Sequence, residues 1–386
     1  MKEGFLDRDI LRRIAMAVVR AEVERLRGAA APALPGGGWP DETGIGEEGL
    51  GLDSLERFGA LGALAETFLL DEAALPERPA ERVGDWIDWI ERSRPGGAET
   101  LAVKTSGSTG EPKTCLHRVE DLAGEAAHFA SLVPECRRVV ALVPAHHLYG
   151  LIWTVFLPAS LGIPVVDRAL GAPLGLLAGD LVVAVPAQWE AILRLTRSVP
   201  AGCIAVSSAG PLPDPQAADL RDAGFSRVFD VYGSSETGAI AWRDGPAAGY
   251  ALLPRWDLVA EGDDWQLADR QSALFPLPDH IERLAPRRVR PLGRRDGAVK
   301  VGGHTVWPEK VAAILRTTRG VTDVAVRLGS NGRLKAFIVS EVGPVSLQKE
   351  LERVAAERLS VAERPKAYRF GEALPRNSMG KLADWV

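Results

Sequence analysis

The sequence predicts an α/β protein in three parts: an all-α helical bundle, an α/β core, and a small α+β unit at the C-terminus. Three observations carry this prediction. Apolar residues recur at helical spacing near the N-terminus, short apolar runs alternate with helical patterns in the middle, and the pattern changes again from Gly293. We place the three domains at residues 1–95, 98–292 and 293–386.

The first part contains three predicted helices. Residues 10–26 have apolar side chains at helical spacing, and a loop rich in Gly, Pro and Ala follows. The segment at residues 51–58 opens a second helix, and a third covers residues 83–90. Residues 93–99 have the composition of a linker. We therefore expect a small helical module ahead of the main domain.

The middle part reads as a sheet covered by helices. Its short apolar runs lie at residues 139–143, 181–185, 204–206 and 228–231. Alternation of such runs with helical patterns is typical of a largely parallel sheet. The last part is predicted to contain strands at residues 321–328 and 334–339 and a helix at residues 347–359.

Composition excludes several classes of protein. The 386 residues carry a formal net charge of −5, which suggests neither nucleic acid nor an anionic membrane as a partner. Three widely spaced cysteines favour reduced thiols in a cytoplasmic protein over a disulfide framework. The charged N-terminus is unlike a secretory signal. The uncharged stretch between Arg138 and Asp167 is interrupted by prolines and histidines, which favours a buried strand and helix over a membrane span.

Residues 105–113 have the composition of a phosphate-binding loop. They read Thr-Ser-Gly-Ser-Thr-Gly-Glu-Pro-Lys. Small residues let backbone N–H groups approach phosphate oxygens, hydroxyls add donors, and Lys113 adds a positive charge. A second stretch, residues 375–381, reads Pro-Arg-Asn-Ser-Met-Gly-Lys.

These two stretches resemble the first and last signatures of the acyl- and aryl-adenylating enzymes, which include acyl-CoA ligases, luciferases and the adenylation domains of peptide synthetases. The resemblance runs from about Leu101 to the C-terminus. It implies an enzyme that uses ATP and Mg²⁺ to join a carboxylic acid to AMP and then passes the acyl group to a thiol.

Further segments resemble the family's remaining signatures in the same order. They lie at residues 143–151, 207–212, 230–238 and 293–303. The resemblance implies three catalytic residues. Lys381 would bridge the carboxylate and the α-phosphate, His147 would orient the acid, and Glu236 would bind Mg²⁺.

The resemblance also implies how ATP is held. Tyr232 would stack on adenine, Asp230 would accept from its amino group, and the Thr237 hydroxyl would reach the α-phosphate. Asp279 takes the place of the ribose-binding aspartate, although Leu277-Pro278 replaces the family's usual Thr-Gly. The full ATP-binding set comprises Thr105, Ser106, Gly107, Ser108, Thr109, Gly110, Lys113, Ala209, Gly210, Pro211, Asp230, Tyr232, Gly233, Thr237, Asp279 and Arg294.

A rotating C-terminal domain and a substrate pocket are implied in the same way. Asp296 would be the pivot, and Gly303 would line the thiol channel, although His304-Thr305 replaces the family's usual arginine. The pocket is assigned to His146, Tyr149, Ser207 and Ser208. Amino-acid-activating members place an aspartate in the segment that here lies between Arg138 and Asp167. Its absence favours an aryl or aliphatic acid.

The N-terminal module takes the place of more than a hundred residues of the family's large domain, which we therefore expect to be shortened. Its Leu52-Asp53-Ser54-Leu55 resembles the attachment site of acyl carrier proteins. Residues 41–95 hold 14 Asp/Glu and 5 Lys/Arg, a net charge of 5 − 14 = −9, and an acidic face suits a carrier. We predict 4′-phosphopantetheine on Ser54, attached by a phosphopantetheinyl transferase. The alternative is a simple capping box of Asp53 and Glu56.

The sequence thus predicts a cytoplasmic enzyme that activates a small carboxylic acid and loads it onto its own Ser54 or onto a partner carrier. A downstream carrier, acyltransferase or synthase would accept the acyl group. One alternative is an acyl-CoA ligase that uses free CoA and has a structural N-terminal module. The other is an inactive adenylate-binding scaffold. The identity of the acid and the oligomeric state stay open.

Overall fold

The computed structural model describes residues 6–28, 38–71, 78–94, 99–105, 113–262, 264–295, 297–340, 344–375 and 383–385. Within them the chain forms a nine-stranded mixed sheet covered by helices, a smaller C-terminal α+β unit, and helices at the N-terminus. No helix in these ranges combines the length and the apolar character needed to cross a bilayer.

Three helices form in the N-terminal part of the described chain: α1 (Arg8–Arg27), α2 (Ser54–Phe68) and α3 (Val83–Ser93). The Asp53 carboxylate accepts from the backbone N–H of Glu56 at 2.8 Å, and the Glu56 carboxylate accepts from the N–H of Asp53 at 3.0 Å. This reciprocal pair is the capping box that the sequence predicts as the alternative role of the segment. Ser54 is the first residue of α2 and is exposed.

The N-terminal helices share one hydrophobic core with the main sheet. Leu11 and Ile14 of α1 belong to the same buried cluster as Trp153 and Phe229. The Arg13 guanidinium also donates to the carbonyl of Thr154 at 2.5 Å. A continuous core of this kind fixes the helices to the rest of the protein. The division into three domains stays a prediction.

The central sheet is parallel in one half and antiparallel in the other. Its strands are β3 (Arg138–Ala141), β4 (Val165–Asp167), β5 (Asp180–Ala184), β6 (Ile204–Ser207), β7 (Arg227–Ser234), β8 (Gly238–Asp244), β9 (Tyr250–Leu252), β13 (Asp279–Ala285) and β14 (Arg288–Arg294). Their spatial order is β13-β14-β9-β8-β7-β6-β5-β3-β4. Strands β4, β3, β5, β6 and β7 run parallel, and the last four of these match the four apolar runs of the sequence. Strands β7, β8, β9, β14 and β13 pair antiparallel.

Shorter elements complete this part of the molecule. They are the hairpin of β1 (Thr100–Thr105) and β2 (Lys113–Arg118), the small sheet of β10 (Asp257–Glu261), β11 (Asp264–Ala268) and β12 (Leu274–Pro276), and the helices α4 (Val119–Leu132), α5 (Leu148–Leu151), α6 (Leu157–Leu161), α7 (Pro186–Leu195) and α8 (Asp214–Asp222). A π-helical turn, Ile152–Phe156, joins α5 to α6. The uncharged stretch is therefore a buried strand, helix and strand, as predicted.

The C-terminal unit has its own hydrophobic core. It consists of β15 (Val299–Val301), β16 (His304–Val306), α9 (Pro308–Arg316), β17 (Val321–Leu328), β18 (Leu334–Ser340), α10 (Pro344–Arg358) and β19 (Ala367–Gly371). Its buried apolar side chains form a cluster separate from the main core. The two predicted strands and the predicted helix are confirmed, and β19 adds a parallel strand beside β18.

Gly150 allows the turn before the π-helix to close tightly. A Cβ atom at this position would lie 2.0 Å from the carbonyl oxygen of Pro144, well inside contact distance. The obstacle is backbone, which cannot rotate away as a side chain can. The Gly150 carbonyl also accepts from the Thr154 hydroxyl at 2.7 Å. Glycine at this position is therefore a packing requirement of the fold.

We expect Gly150→Ala to lower the free energy of unfolding by about 2–3 kcal/mol, because backbone must move to admit the methyl group. The matched control is Gly62→Ala in α2, where an added Cβ has open space. That variant should leave stability unchanged or raise it by up to about 1 kcal/mol. Urea unfolding curves of the two variants measure the difference. Equal shifts would contradict the role of Gly150.

Asp41 ties the loop before α2 to helix α1. Its carboxylate accepts from Arg8 Nε and Arg12 Nε, both at 2.7 Å. Arg8 also contacts Asp88 of α3 at 2.8 Å. The hydrogen bond from Arg12, assisted by Arg8, outweighs partial burial and holds the pKa of Asp41 below its ordinary value of 3.8. A carboxyl with a depressed folded-state pKa stabilises the fold above the unfolded-state pKa, and loses this effect as pH falls through the folded-state value.

Asp41→Asn should lower the free energy of unfolding by about 1–2 kcal/mol at pH 7, since two charge-assisted hydrogen bonds are weakened. The deficit relative to the unmodified chain should shrink as pH falls below about 4. Asp9→Asn serves as the control, because Asp9 contacts Arg12 from an 88 % exposed position and should contribute less than about 0.5 kcal/mol. Urea titrations at several pH values test this. A deficit that does not change with pH would contradict it.

Candidate active site

A cleft of about 1330 Å³ lies at the carboxyl edge of the parallel strands and extends to the C-terminal unit. Parallel strands end together at one edge, which is where ligands bind in open α/β sheets. The cleft is lined after β3 by Pro144, His147 and Tyr149, after β6 by Ser208, Ala209, Gly210 and Pro211, along β7 and its turn by Asp230, Tyr232, Gly233 and Glu236, and from farther along the chain by Asp279, Arg294, Lys300, Gly303 and His304. Most of the predicted site residues within the described chain therefore line one cavity.

The cleft contains an ion pair between two predicted site residues. Lys113 Nζ lies 3.1 Å from Glu236 Oε1, and the two side chains are 59 % and 48 % exposed. Burial acts to raise the pKa of Glu236, but hydrogen bonds from Lys113 and others leave it below its ordinary value. The carboxylate is thus ionised at neutral pH. An ionised, half-open carboxylate is the type of hard oxygen ligand that Mg²⁺ takes beside phosphates.

Several predicted residues lie outside the described part of the chain. These are Ser106, Gly107, Ser108, Thr109 and Gly110 of the loop, the pivot Asp296, and the catalytic Lys381. Their roles stay predictions. The strands that flank the loop are described, and Thr105 pairs with Lys113 across the β1–β2 hairpin. The strand register of the hairpin therefore fixes the position of Lys113, which lines the cleft.

The turn after β7 is fixed by a hydrogen bond from the buried His117. His117 Nε2 donates to the carbonyl of Ser235 at 2.8 Å, and burial lowers the pKa of His117, so this buried ring is neutral. Thr237 is 2 % exposed, and its hydroxyl donates to the carbonyl of Gly238 at 3.0 Å. It is not among the residues that line the cleft. Contact of Thr237 with the α-phosphate stays a prediction.

Tyr232 and Asp230, the residues predicted to contact adenine, belong to a hydrogen-bond network. Tyr232 donates its hydroxyl hydrogen to Asp279 Oδ2 at 2.9 Å. Asp230 is 2 % exposed, and its Oδ2 accepts from Arg243 Nε at 2.8 Å and from the Tyr250 hydroxyl at 2.5 Å. Burial raises the pKa of Asp230, against the opposing effect of these two donors. The sequence analysis missed Arg243 and Tyr250, which belong to no recognised signature.

The two adjacent histidines differ in position. His147 lines the cleft, and burial together with the positive potential of His304 lowers its pKa, so the ring is neutral at pH 7. His146 is not among the lining residues. Burial, together with the neighbouring His147, lowers its pKa to about 3, against the opposing effect of a hydrogen bond to the backbone of Ala17 in α1. Its Nδ1 has no partner among the residues described. A place for His146 in the substrate pocket stays a prediction.

The other predicted pocket residues take part in the framework of the cleft. The Tyr149 hydroxyl lies 3.0 Å from the carbonyl of Ala184 and 2.9 Å from that of Val206, so it bridges the ends of β5 and β6. The Ser208 hydroxyl donates to the carbonyl of Val231 at 2.8 Å. Ser207 is fully buried and is not a lining residue.

The C-terminal unit contributes a lysine that the sequence analysis did not assign. Lys300 lines the cleft, and its Nζ donates to the Thr305 hydroxyl at 2.8 Å. Burial, aided by Arg294, lowers its pKa. A Cβ added to Gly210 would lie 3.8 Å from the Lys300 Cβ, so the two parts of the chain meet here. Lys300 lies within the hinge signature at residues 293–303, and this position in the sequence could have identified it as a candidate site residue.

Glu125 of α4 was also missed. It lines the cleft, and its Oε2 accepts from the backbone N–H of Ala239 at 3.1 Å. Burial raises its pKa to about 7, although the Ala239 hydrogen bond and the charge of Arg255 oppose this. The sequence holds one signal: in a helix, Glu125 falls between Leu122 and Ala126 on the apolar face.

Comparison with known proteins agrees with this geometry. The family model described as "AMP-binding enzyme" matches residues 58–276. A 4-coumarate–CoA ligase of Rhodobacter capsulatus is 36 % identical, over 97 % of this chain and 100 % of that protein. A 4-coumarate–CoA ligase of Halorhodospira halophila is 33 % identical, over 98 % and 99 %.

Solved structures share the fold at lower identity. A malonyl-CoA ligase bound to methylmalonyl-CoA and AMP superposes with a TM-score of 0.58 at 23 % identity, covering 74 % of each chain. The o-succinylbenzoate CoA synthetase of Bacillus subtilis does so with a TM-score of 0.59 at 20 % identity, covering 77 % of this chain and 72 % of that one. These two curated relatives match this chain over nearly its whole length and over nearly the whole of their own. The chain therefore belongs to the AMP-binding enzyme family, as an AMP-forming acid–thiol ligase.

Proposed function

We propose that this protein is an ATP-dependent CoA ligase that activates 4-coumarate or a closely similar aryl-propenoic acid. The observation that carries the proposal is the end-to-end match to three proteins named 4-coumarate–CoA ligase, at 32–36 % identity. It favours free CoA as the acceptor, which was the alternative in the sequence analysis, over transfer to a carrier domain.

The N-terminal helices also favour free CoA. A carrier domain has to move between partners, but here α1 shares its core with the main sheet and is held to Thr154 through Arg13. The Asp53-Ser54 segment has a sufficient local role in starting α2. We assign the N-terminal helices a structural role, and no pantetheine on Ser54 is needed.

In the first step, a carboxylate oxygen of the acid attacks the α-phosphorus of ATP, and pyrophosphate leaves. Lys113 lies where it can neutralise phosphate charge. Glu236 would hold Mg²⁺, which would offset negative charge on the phosphates. Neutral His147 can donate one N–H to the acid and fix its direction of attack. Lys381 keeps its predicted role.

The nucleoside would lie against the hydrogen-bond network that Tyr232 and Asp230 of β7 form with their neighbours. Tyr232 offers its ring, and Asp279 offers a carboxylate oxygen to the ribose hydroxyls. Arg243 and Tyr250 hold Asp230 in place, so that this carboxylate is fixed before the nucleotide binds. Such preorganisation limits the entropy that binding costs.

In the second step, the CoA thiol loses its proton and its sulfur forms a bond to the acyl carbon. The bond between that carbon and the phosphate oxygen breaks, and AMP leaves with the electron pair. Gly303 and His304 line the cleft on the side of the C-terminal unit. Gly303 has φ +87°, a conformation that suits glycine and leaves the backbone uncovered for a close approach. These residues are our candidates for the wall of the thiol entrance.

Incubation with ATP, Mg²⁺, CoA and 4-coumarate should form soluble 4-coumaroyl-CoA, detectable by chromatography and mass. Ser54→Ala should form it at the same rate, because Ser54 is only the first residue of a capped helix. Omission of CoA should leave the acyl adenylate. An acyl group found on the protein itself, and lost in Ser54→Ala, would overturn the proposal in favour of the carrier.

Glu236→Gln should lower the rate of ATP–pyrophosphate exchange by about 100-fold, because the amide removes the charge that would hold Mg²⁺. Higher Mg²⁺ should restore part of the loss. Glu190→Gln is the control, since Glu190 is a 61 % exposed acid on α7, and it should leave exchange unchanged. Unaltered exchange in Glu236→Gln would remove Glu236 from the reaction.

A further inference from the structure

The side chain of Glu125 lines the cleft beside Gly238 and Ala239, at the start of β8. One of its oxygens, Oε2, accepts from the backbone N–H of Ala239. The other, Oε1, has no hydrogen-bond donor among the residues that the structure describes. The side chain is half-buried and lines the cleft. One oxygen of its carboxyl group is therefore left for a ligand that enters the cleft.

The backbone around Glu125 is shaped to accept this carboxyl group. A Cβ added to Gly238 would lie 2.7 Å from Glu125 Oε2, so a larger residue there would displace the oxygen. Gly238 has φ +75°, which side chains other than glycine rarely adopt. The glycine thus allows the carboxyl oxygen to lie close to the backbone.

Helix α4 carries Glu125 among the buried apolar residues Leu122, Ala126 and Phe129. Val103, Ile152, Trp153, Val231 and Ala239 line the same cleft. Helix α4 packs on the π-helix that carries Trp153, and Phe129, one turn beyond Glu125, has its ring centroid 4.5 Å from that of Trp153. A carboxyl group in such surroundings costs free energy unless it is hydrogen-bonded. Burial raises its pKa to about 7 accordingly.

The position suits the far end of an aromatic acid. His147, at the reacting end, and Trp153 are six residues apart along one continuous helix, which corresponds to about 9 Å of rise. That length is comparable to a benzene ring with a propenoate chain. An acid whose carboxylate lies at His147 would direct its ring along the apolar wall formed with α4.

We propose that Glu125 accepts a hydrogen bond from a hydroxyl group on the aromatic ring of the substrate, and so selects ring-hydroxylated acids over unsubstituted ones. This inference rests on the proposed function and deepens it, because it assigns a specificity-determining residue for the ring. In either protonation state, one Glu125 oxygen can accept from a phenolic O–H. A site built to bond a substrate hydroxyl discriminates against the analogue that lacks it.

The test compares kcat/KM for 4-coumarate and for cinnamate, which lacks the hydroxyl, in the full chain and in Glu125→Leu. The unmodified enzyme should prefer 4-coumarate by about 10- to 100-fold, as expected for a hydrogen bond to a charged or polar buried acceptor. In Glu125→Leu this preference should fall to within about threefold, with cinnamate unchanged or improved, since the apolar side chain no longer leaves a polar group unpaired. KM for ATP should not change.

Two variants serve as controls. Glu125→Gln keeps the shape and one acceptor oxygen, so it should retain part of the preference, and it remains informative if Glu125→Leu folds poorly. Glu120→Gln changes an exposed acid of the same helix and should leave the preference intact. Equal loss on both acids, with the ratio kept in both Glu125 variants, would show a purely structural role and overturn the inference.

Failure of the proposed function has a different signature. If the unmodified enzyme forms no thioester from either acid, the proposed function fails and this inference falls with it. If it forms 4-coumaroyl-CoA but its preference for the hydroxylated acid is independent of Glu125, the function stands and only the inference is overturned.

Discussion

The site depends on one geometric constraint: parallel strands that are buried on both faces end together at one edge of the sheet. Strands β3, β5, β6 and β7 lie side by side in parallel register. The segments that follow them therefore emerge next to one another, although they are far apart in the sequence. His147, Ser208 and Tyr232 meet for this reason. Asp279, the first residue of β13 in the antiparallel half of the sheet, lines the same cleft and accepts a hydrogen bond from Tyr232.

Charge within the cleft is distributed according to this geometry. Lys113 and Glu236 face each other where phosphates and a divalent cation would lie. Asp230 is held by Arg243 and Tyr250 farther along β7. Burial lowers the pKa of His147 and the pKa of Lys300. The cleft thus combines the ionised pair of Lys113 and Glu236 with a neutral His147, an arrangement suited to a reaction in which charge develops on phosphate oxygens.

The N-terminal helices illustrate how a local sequence pattern can have more than one interpretation. The Leu-Asp-Ser-Leu tetrapeptide resembles a carrier attachment site, but the same residues form a capping box that starts α2. Packing of α1 against the π-helix places these helices within the main core. A structural module suits a CoA ligase, whose thiol arrives on a diffusing molecule.

The sequence by itself determined the elements and the family. Apolar periodicity located four of the parallel strands, together with two strands and one helix of the C-terminal unit. The signatures around Lys113, Tyr232 and Glu236 identified an adenylating enzyme. These are local patterns, set by strand and helix periodicity and by the chemistry of short loops. Only the tertiary structure decided which side chains share the cleft. Contacts between residues far apart in the chain determine the antiparallel half of the sheet, the hydrogen bond from Arg243 to Asp230, and the position of Glu125 beside Gly238. Such contacts leave no pattern in any short stretch of sequence.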